Sequence, residues 1–110
     1  MKVAVGENDV QWEEHPDRRS ADLIAAGFTP AYAGLSLGVA IYHASEYGEL
    51  QRHDDQEAVY CLAGRGTIRI GDEEHDIYPG RAFYVSRGVP HATRRTGPEY
   101  VKVVYVHAPA

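Results

Sequence analysis

The sequence predicts an all-β protein, a sandwich or closed barrel of antiparallel strands. Three observations predict it. Apolar residues alternate with polar or small ones over short runs, the spacing of side chains on one face of a strand. Glycine and proline signals such as Gly71-Asp72, Pro79-Gly80 and Gly97-Pro98 separate those runs. Little of the chain carries the period of an amphipathic helix.

Residues 1–34 have the least regular pattern and are expected to pack on the barrel or on a dimer partner. Pro16, the run DRRSADLIAAG and Gly27 fit a short helix with proline near its start and glycine past its end. They fit equally an irregular chain with an outer strand, with Phe28 and Tyr32 packing on the barrel. The barrel itself is expected over residues 35–110. Leu35, Leu37, Val39, Ile41 and His43 alternate with Ser36, Gly38, Ala40 and Tyr42, which predicts a strand with one apolar face. SEYGELQ turns the chain, and EAVYCLAG forms the next strand up to the Gly64 and Gly66 turn. TIRI follows, with a hairpin at Gly71-Asp72. HDIY, AFYV and HATRR are then separated by Pro79-Gly80 and Arg87-Gly88. The last strand, YVKVVYVH, turns Lys102 outward and Val101, Val103 and Tyr105 inward. No internal repeat or low-complexity segment interrupts this order.

Composition narrows the function. With 110 residues the chain is one domain, large enough for a core without disulfides. Its 44% hydrophobic and 25% charged residues are those of a folded globular protein. A net charge of −5 offers no basic surface for a phosphate backbone, so nucleic acid is not an expected partner. The single cysteine, Cys61, sits in an apolar strand and reads as a buried small residue, which points to a reducing cytoplasm. The opening MKVAVGENDVQWEE is too short in apolar residues for a signal-peptide core, and no run suits a membrane span. A soluble cytoplasmic protein is the expectation.

Two stretches carry the chemistry: GELQRHDDQEAVYCLAG from Gly48 to Gly64, and the stretch from Gly80 to Gly97. Strand alternation sends Gln51 and His53 one way and Arg52 the other, and Glu57 shares a face with Val59, Cys61 and Ala63. His91, launched by the Gly88 turn, comes from the same rim. Two imidazoles, one carboxylate and one amide oxygen each offer a lone pair near neutral pH, a set suited to a divalent metal. Singly, each is bland: His91 as a partly buried histidine, His53 with Glu57 as a surface ion pair, Gln51 as nothing in particular. Their joint spacing gives them meaning.

That spacing resembles the cupin superfamily over residues 35–107. Gln51-Arg52-His53, Glu57 and Gly64 stand where the first cupin motif has a His-any-His pair, a glutamate and a glycine. Pro79-Gly80, Ser86-Arg87-Gly88 and His91 stand where the second has Pro-Gly, Pro-any-Gly and histidine. Gln51 replaces the first histidine, Ser86 a proline and Arg95 an asparagine. The resemblance implies a jelly-roll barrel of two antiparallel sheets, a metal inside it, and homodimers through an outer sheet. Its ligands would be Gln51, His53, Glu57 and His91. A glutamine oxygen is a weaker donor than imidazole, so Gln51 either ligates or hydrogen-bonds a bound water. The remaining two-histidine, one-carboxylate set suits Fe(II), with Mn, Ni, Co and Zn as alternatives.

The expected activity is that of a metal-dependent enzyme, dioxygenase-like, acting on a small and anionic organic molecule. A non-catalytic ligand-binding or sensing protein is one alternative, and a metal-assisted isomerase, cyclase or lyase is another. EAVYCLAGRG is similar to the corresponding stretch of the ectoine synthases, cupins that cyclise by dehydration. Alternation from His91 sends Thr93 and Arg95 inward, where Arg95 would bind a carboxylate or phenolate; the competing reading makes Arg94 and Arg95 a solvated pair. Tyr42, His43, Phe83 and Tyr105 are expected to line the cavity or to serve as core. DDQE and GDEEHD read as solvated turns, and His15, His75 and His107 receive no role.

Overall fold

The computed structural model describes residues 3–27 and 29–110. Among the described residues, a 3-10 turn at Glu7–Asp9 is followed by nine strands: β1 (Glu13–Glu14), β2 (Arg18–Ile24), β3 (Ser36–Tyr42), β4 (Gln56–Ala63), β5 (Gly66–Ile70), β6 (Glu73–Ile77), β7 (Ala82–Val85), β8 (His91–Arg95) and β9 (Val101–Ala108). They form a six-stranded sheet in the order β1-β2-β3-β9-β4-β7 and a three-stranded sheet in the order β6-β5-β8. Every pairing between these strands is antiparallel. The predicted all-β architecture of two antiparallel sheets is the one observed. No helix among the described residues is long and apolar enough to cross a membrane.

The core lies between the sheets and joins Ala40, Val59, Cys61, Ile68, Ile77, Val101 and Val103. Each fully buried valine or isoleucine there contributes about 1.5–3 kcal/mol relative to exposure. Register explains the inner set: Ala40 lies opposite Val103, and Val103 opposite Cys61, so the three share the concave face.

Three local expectations are settled or corrected. Of the two readings of the segment after Pro16, residues 18–24 take the strand and not the helix, because backbone pairing of β2 with both β1 and β3 outweighs the modest helical propensity of SADLIAA. The sheet therefore begins at Glu13, well before Leu35. Second, the inward face of β3 carries Ser36, Gly38, Ala40 and Tyr42, and Leu37, Val39 and Ile41 point outward. Val39 and Ala40 are equally buried at 2% exposure, so alternation of apolar residues could not tell the two faces apart. Third, the register slips between Cys61 and Ala63, which turns Ala63 away from the face of Glu57, Val59 and Cys61 and sets it opposite outward Lys102.

The N-terminal segment is tied to the outer face of the six-stranded sheet. Lys102 Nζ reaches the Glu7 carboxylate at 3.0 Å, the Trp12 indole donates to Glu7 O at 3.1 Å, and the Arg19 guanidinium stands 4.6 Å over the Trp12 ring. Tyr32 is exposed, and the role expected of Phe28 lies outside the described residues.

Candidate metal centre

The site forms at the rim where the two sheets face each other. Gln51 and His91 form an isolated bridge, with Gln51 N donating to His91 O at 2.8 Å and His91 N to Gln51 O at 3.0 Å. This pair ties the segment before β4 to the first residue of β8. Two residues on, His53 O accepts from Gly88 N at 2.8 Å, so the turn before β8 also fixes His53. Gly88 has a φ of 76°, a conformation that favours glycine. His91 Nδ1 lies 3.0 Å from Val89 O; donation there leaves Nε2 facing into the barrel as an acceptor. Glu57, near the start of β4, sits opposite Val85 on β7 and His107 on β9.

These constraints bring the ligand atoms of His53, Glu57 and His91 within 4.8 Å of one another. Glu57 Oε1 lies 3.1 Å from His91 Nε2 and 3.9 Å from His53 Nε2, without hydrogen-bond geometry to either ring. It is a buried carboxylate oxygen without a hydrogen-bond partner, in a residue only 8% exposed. Such an atom is costly unless something positive meets it. A divalent cation among two imidazoles and this oxygen answers that need, and the donor types fit.

His107 belongs to the same cluster. Its Nε2 lies 3.4 Å from Glu57 Oε2 and its Nδ1 3.0 Å from Asp55 Oδ1. Its ring packs edge-on to His53 with centroids 4.7 Å apart. The electrostatics follow from this crowding. Burial alone would raise the Glu57 carboxyl, but His107 and His91 override it and hold it at about 2. Contact with Glu57 pushes His107 up to about 9 against the effect of burial, and Asp55 adds to the rise. Burial also opposes protonation of His91, yet Glu57 and the Val89 carbonyl raise it. Burial prevails at His53 and lowers it, despite Glu57. Of the imidazoles, His53 is the one most ready to present a free lone pair.

The cluster opens into a cavity of about 240 Å³ that Tyr42, Tyr105, Ser20, Ser36, Arg18 and Gln51 also line. Burial pushes Tyr42 up to about 12, and burial together with Asp22 raises Tyr105 further. Both phenols therefore stay protonated and serve as donors at neutral pH.

Of the other sequence candidates, Gln51 stands at the cavity wall, but its amide Nε2 donates outward to Glu49 O at 3.3 Å. Arg95 departs from the expected role. It lies on the inward face of β8, opposite Gly66, but at the end of that strand away from His91. There its Nε donates to His43 O at 2.7 Å and its Nη1 to Gly97 O at 3.0 Å, and it does not line the cavity. Phe83 and His43 do not line it either. Phe83 packs against the core with the Arg81 guanidinium 5.3 Å over its ring, and the His43 ring meets Tyr100. His107, Asp55 and Arg18 had no role in the sequence reading. For His107 the signal was present: Val101, Val103 and Tyr105 face inward, and one more step of two along β9 arrives at His107.

A family profile described as a cupin domain matches residues 38–107, and the chain belongs to that family. No curated protein matches it. Among solved structures, a predicted oxalate decarboxylase from Thermotoga maritima superimposes with a TM-score of 0.83 at 16% identity, covering 98% of this chain and 100% of that one. The polyketide cyclase RemF from Streptomyces resistomycificus gives 0.79 at 18% identity, with 97% and 79% covered. The DMSP lyase DddQ from Ruegeria pomeroyi gives 0.77 at 22% identity, with 90% of this chain and 56% of that one covered. At these identities the likeness is one of fold.

Proposed function

We propose that this cupin is a metal-dependent enzyme acting on a small polar organic molecule by proton transfer, in the manner of a lyase, isomerase or cyclase. The observation that carries the metal is the unpartnered Oε1 of buried Glu57 between His53 and His91. A divalent ion held by His53, Glu57 and His91 would supply Lewis-acid polarisation of a substrate oxygen.

The lining supports the rest of the reading. At about 240 Å³ the cavity falls below the roughly 300 Å³ at which pockets for drug-sized ligands begin, so the substrate is small. Tyr42 keeps its proton and can donate to a substrate oxygen, Tyr105 spends its own on Asp22 and walls the cavity, and Ser20 and Ser36 offer further hydroxyls. Arg18, paired with Asp17 at 3.1 Å, brings a cation to the same wall and suits an anionic group. These groups bind, orient and exchange protons. Structural relatives on this fold include enzymes of several kinds, and two of them, a cyclase and a lyase, support this reading over dioxygenase chemistry. A homodimer in the cytoplasm belongs to the same reading.

Dioxygenase chemistry is the second reading, favoured by the two-histidine, one-carboxylate composition of the trio. Metal-loaded protein assayed on a panel of small hydroxy and carboxy acids, with oxygen uptake followed beside product formation under nitrogen, separates the two. Product formed under nitrogen supports proton transfer. Stoichiometric oxygen uptake overturns it in favour of a dioxygenase, and tight binding without turnover makes the protein a binder.

A further inference from the structure

We infer that His107 and Asp55 are positioning residues for Glu57, forming a carboxylate–imidazole–carboxylate chain that occupies Oε2 and reserves Oε1 for the metal. The inference rests on the metal reading above.

Glu57 and His107 lie directly opposite each other across β4 and β9, so their side chains share the concave face at short range. Both ring nitrogens of His107 face carboxylate oxygens: Nδ1 is 3.0 Å from Asp55 Oδ1 and Nε2 is 3.4 Å from Glu57 Oε2. Neither nitrogen has a lone pair turned toward the space between His53 and His91. Among the described residues, the ligand atoms that all approach one another within 4.8 Å belong to His53, Glu57 and His91 alone. His107 therefore stands behind the ligand set. The two oxygens of Glu57 have divided neighbours, with Oε2 on His107 and Oε1 facing His53 and His91.

The division has a chemical consequence. A carboxylate with both oxygens free can spend both on one cation, and a carboxylate with one oxygen engaged offers only the other. By engaging Oε2, His107 limits what Glu57 gives the metal and leaves room there for substrate. Asp55, in the turn before β4, holds the ring at the angle this requires, as partners of metal-site histidines commonly do.

The test is titration with Co(II), followed by visible absorption and by competition with a chelating dye, in wild type, His107→Leu, His107→Gln and Asp55→Asn. His107→Leu should weaken Co(II) binding by about 10- to 100-fold. At saturating Co(II) its absorption should weaken as well, because the released Oε2 raises the coordination number. His107→Gln, whose amide can donate to Oε2, should restore both readouts toward wild type, and Asp55→Asn should fall between wild type and His107→Leu. Wild-type affinity and spectrum in His107→Leu overturn the inference. So does loss of Co(II) that His107→Gln fails to rescue, which would make His107 a ligand. If circular dichroism shows His107→Leu unfolded, Asp55→Asn decides: a shift toward weaker binding and weaker absorption supports the chain, and wild-type behaviour overturns it. Wild-type protein that binds no Co(II) removes the metal reading and this inference together, whereas normal wild-type binding with an unaffected His107→Leu removes this inference alone.

Discussion

Tyr105 crosses Gly38 to reach Asp22. The three residues stand side by side on β9, β3 and β2, and the Tyr105 hydroxyl donates to Asp22 Oδ1 at 2.9 Å. A Cβ on Gly38 would overlap Cζ and Oη of that ring and come within 2.7 Å of Ala21 O. The glycine is therefore what lets the phenol lie over the central strand and wall the cavity.

Gly38→Ala should destabilise the protein by about 1–3 kcal/mol through overpacking. Tyr105→Phe should cost less, about 0.5–1.5 kcal/mol for one hydrogen bond. In the Gly38→Ala background the second change should cost almost nothing, because the bond is already broken. Urea denaturation of the two single variants and the double variant measures this; additive losses would show that Tyr105 does not depend on Gly38.

The charged cluster sets the pH dependence of the metal-free protein. Glu57 is depressed to about 2, so its contribution is present above its ordinary value of 4.5 and lost as pH falls through about 2. His107 is raised to about 9, so its contribution is present below 6.5 and lost as pH rises through about 9. Stability without metal should therefore peak between about pH 4.5 and about pH 6.5. Metal binding runs the other way and tightens as pH rises from about 5 to about 7, because ligand imidazoles must be neutral. Melting temperatures against pH, with and without chelator, check both slopes.

Gln51 is held in place by its backbone bridge to His91, with its amide turned to Glu49 O. Gln51→Ala should accordingly leave metal content at the wild-type level, since neither of those backbone bonds needs the side chain. Equilibrium dialysis against Co(II) tests this, and a clear loss of bound metal would make the Gln51 side chain a ligand.

The outward face of the six-stranded sheet leaves Tyr60, Leu62 and Tyr84 exposed on neighbouring strands. The twofold dimer proposed above would cover them and bury that apolar surface. Sedimentation at micromolar concentration should give a dimer mass, and Leu62→Lys should shift it toward monomer. A monomeric wild type would contradict the proposed assembly.

Much of this architecture could be read from local chemistry. The glycine and proline turns delimit β7 at residues 82–85 and β8 at residues 91–95 as the sequence predicts, because short strands between such turns leave the backbone few choices. The spacing of His53, Glu57 and His91 was legible for the same reason, since each sits at or beside a turn. The inward face of β3 was not, because a central strand buried on both sides loses its alternation. β2 was only one of two readings, because the stretch around SADLI fits a helix as well as a strand until its backbone pairing with β1 and β3 is known. Arg95 was placed inward by strand parity alone, and parity gives the side of a sheet, not which end of the barrel a residue occupies. His107 went unread because its significance depends on standing opposite Glu57 across β4 and β9, a relation that appears only once the register is known.

The most direct test of the central claim is metal stoichiometry by elemental analysis of protein purified without chelator or affinity tag, in wild type and in His53→Ala, Glu57→Ala and His91→Ala. The account predicts about one divalent ion per wild-type chain and near-complete loss in each variant, with the strand signature of circular dichroism retained. Full metal occupancy in His91→Ala, or a wild type that neither carries a divalent metal nor takes one up, would contradict it.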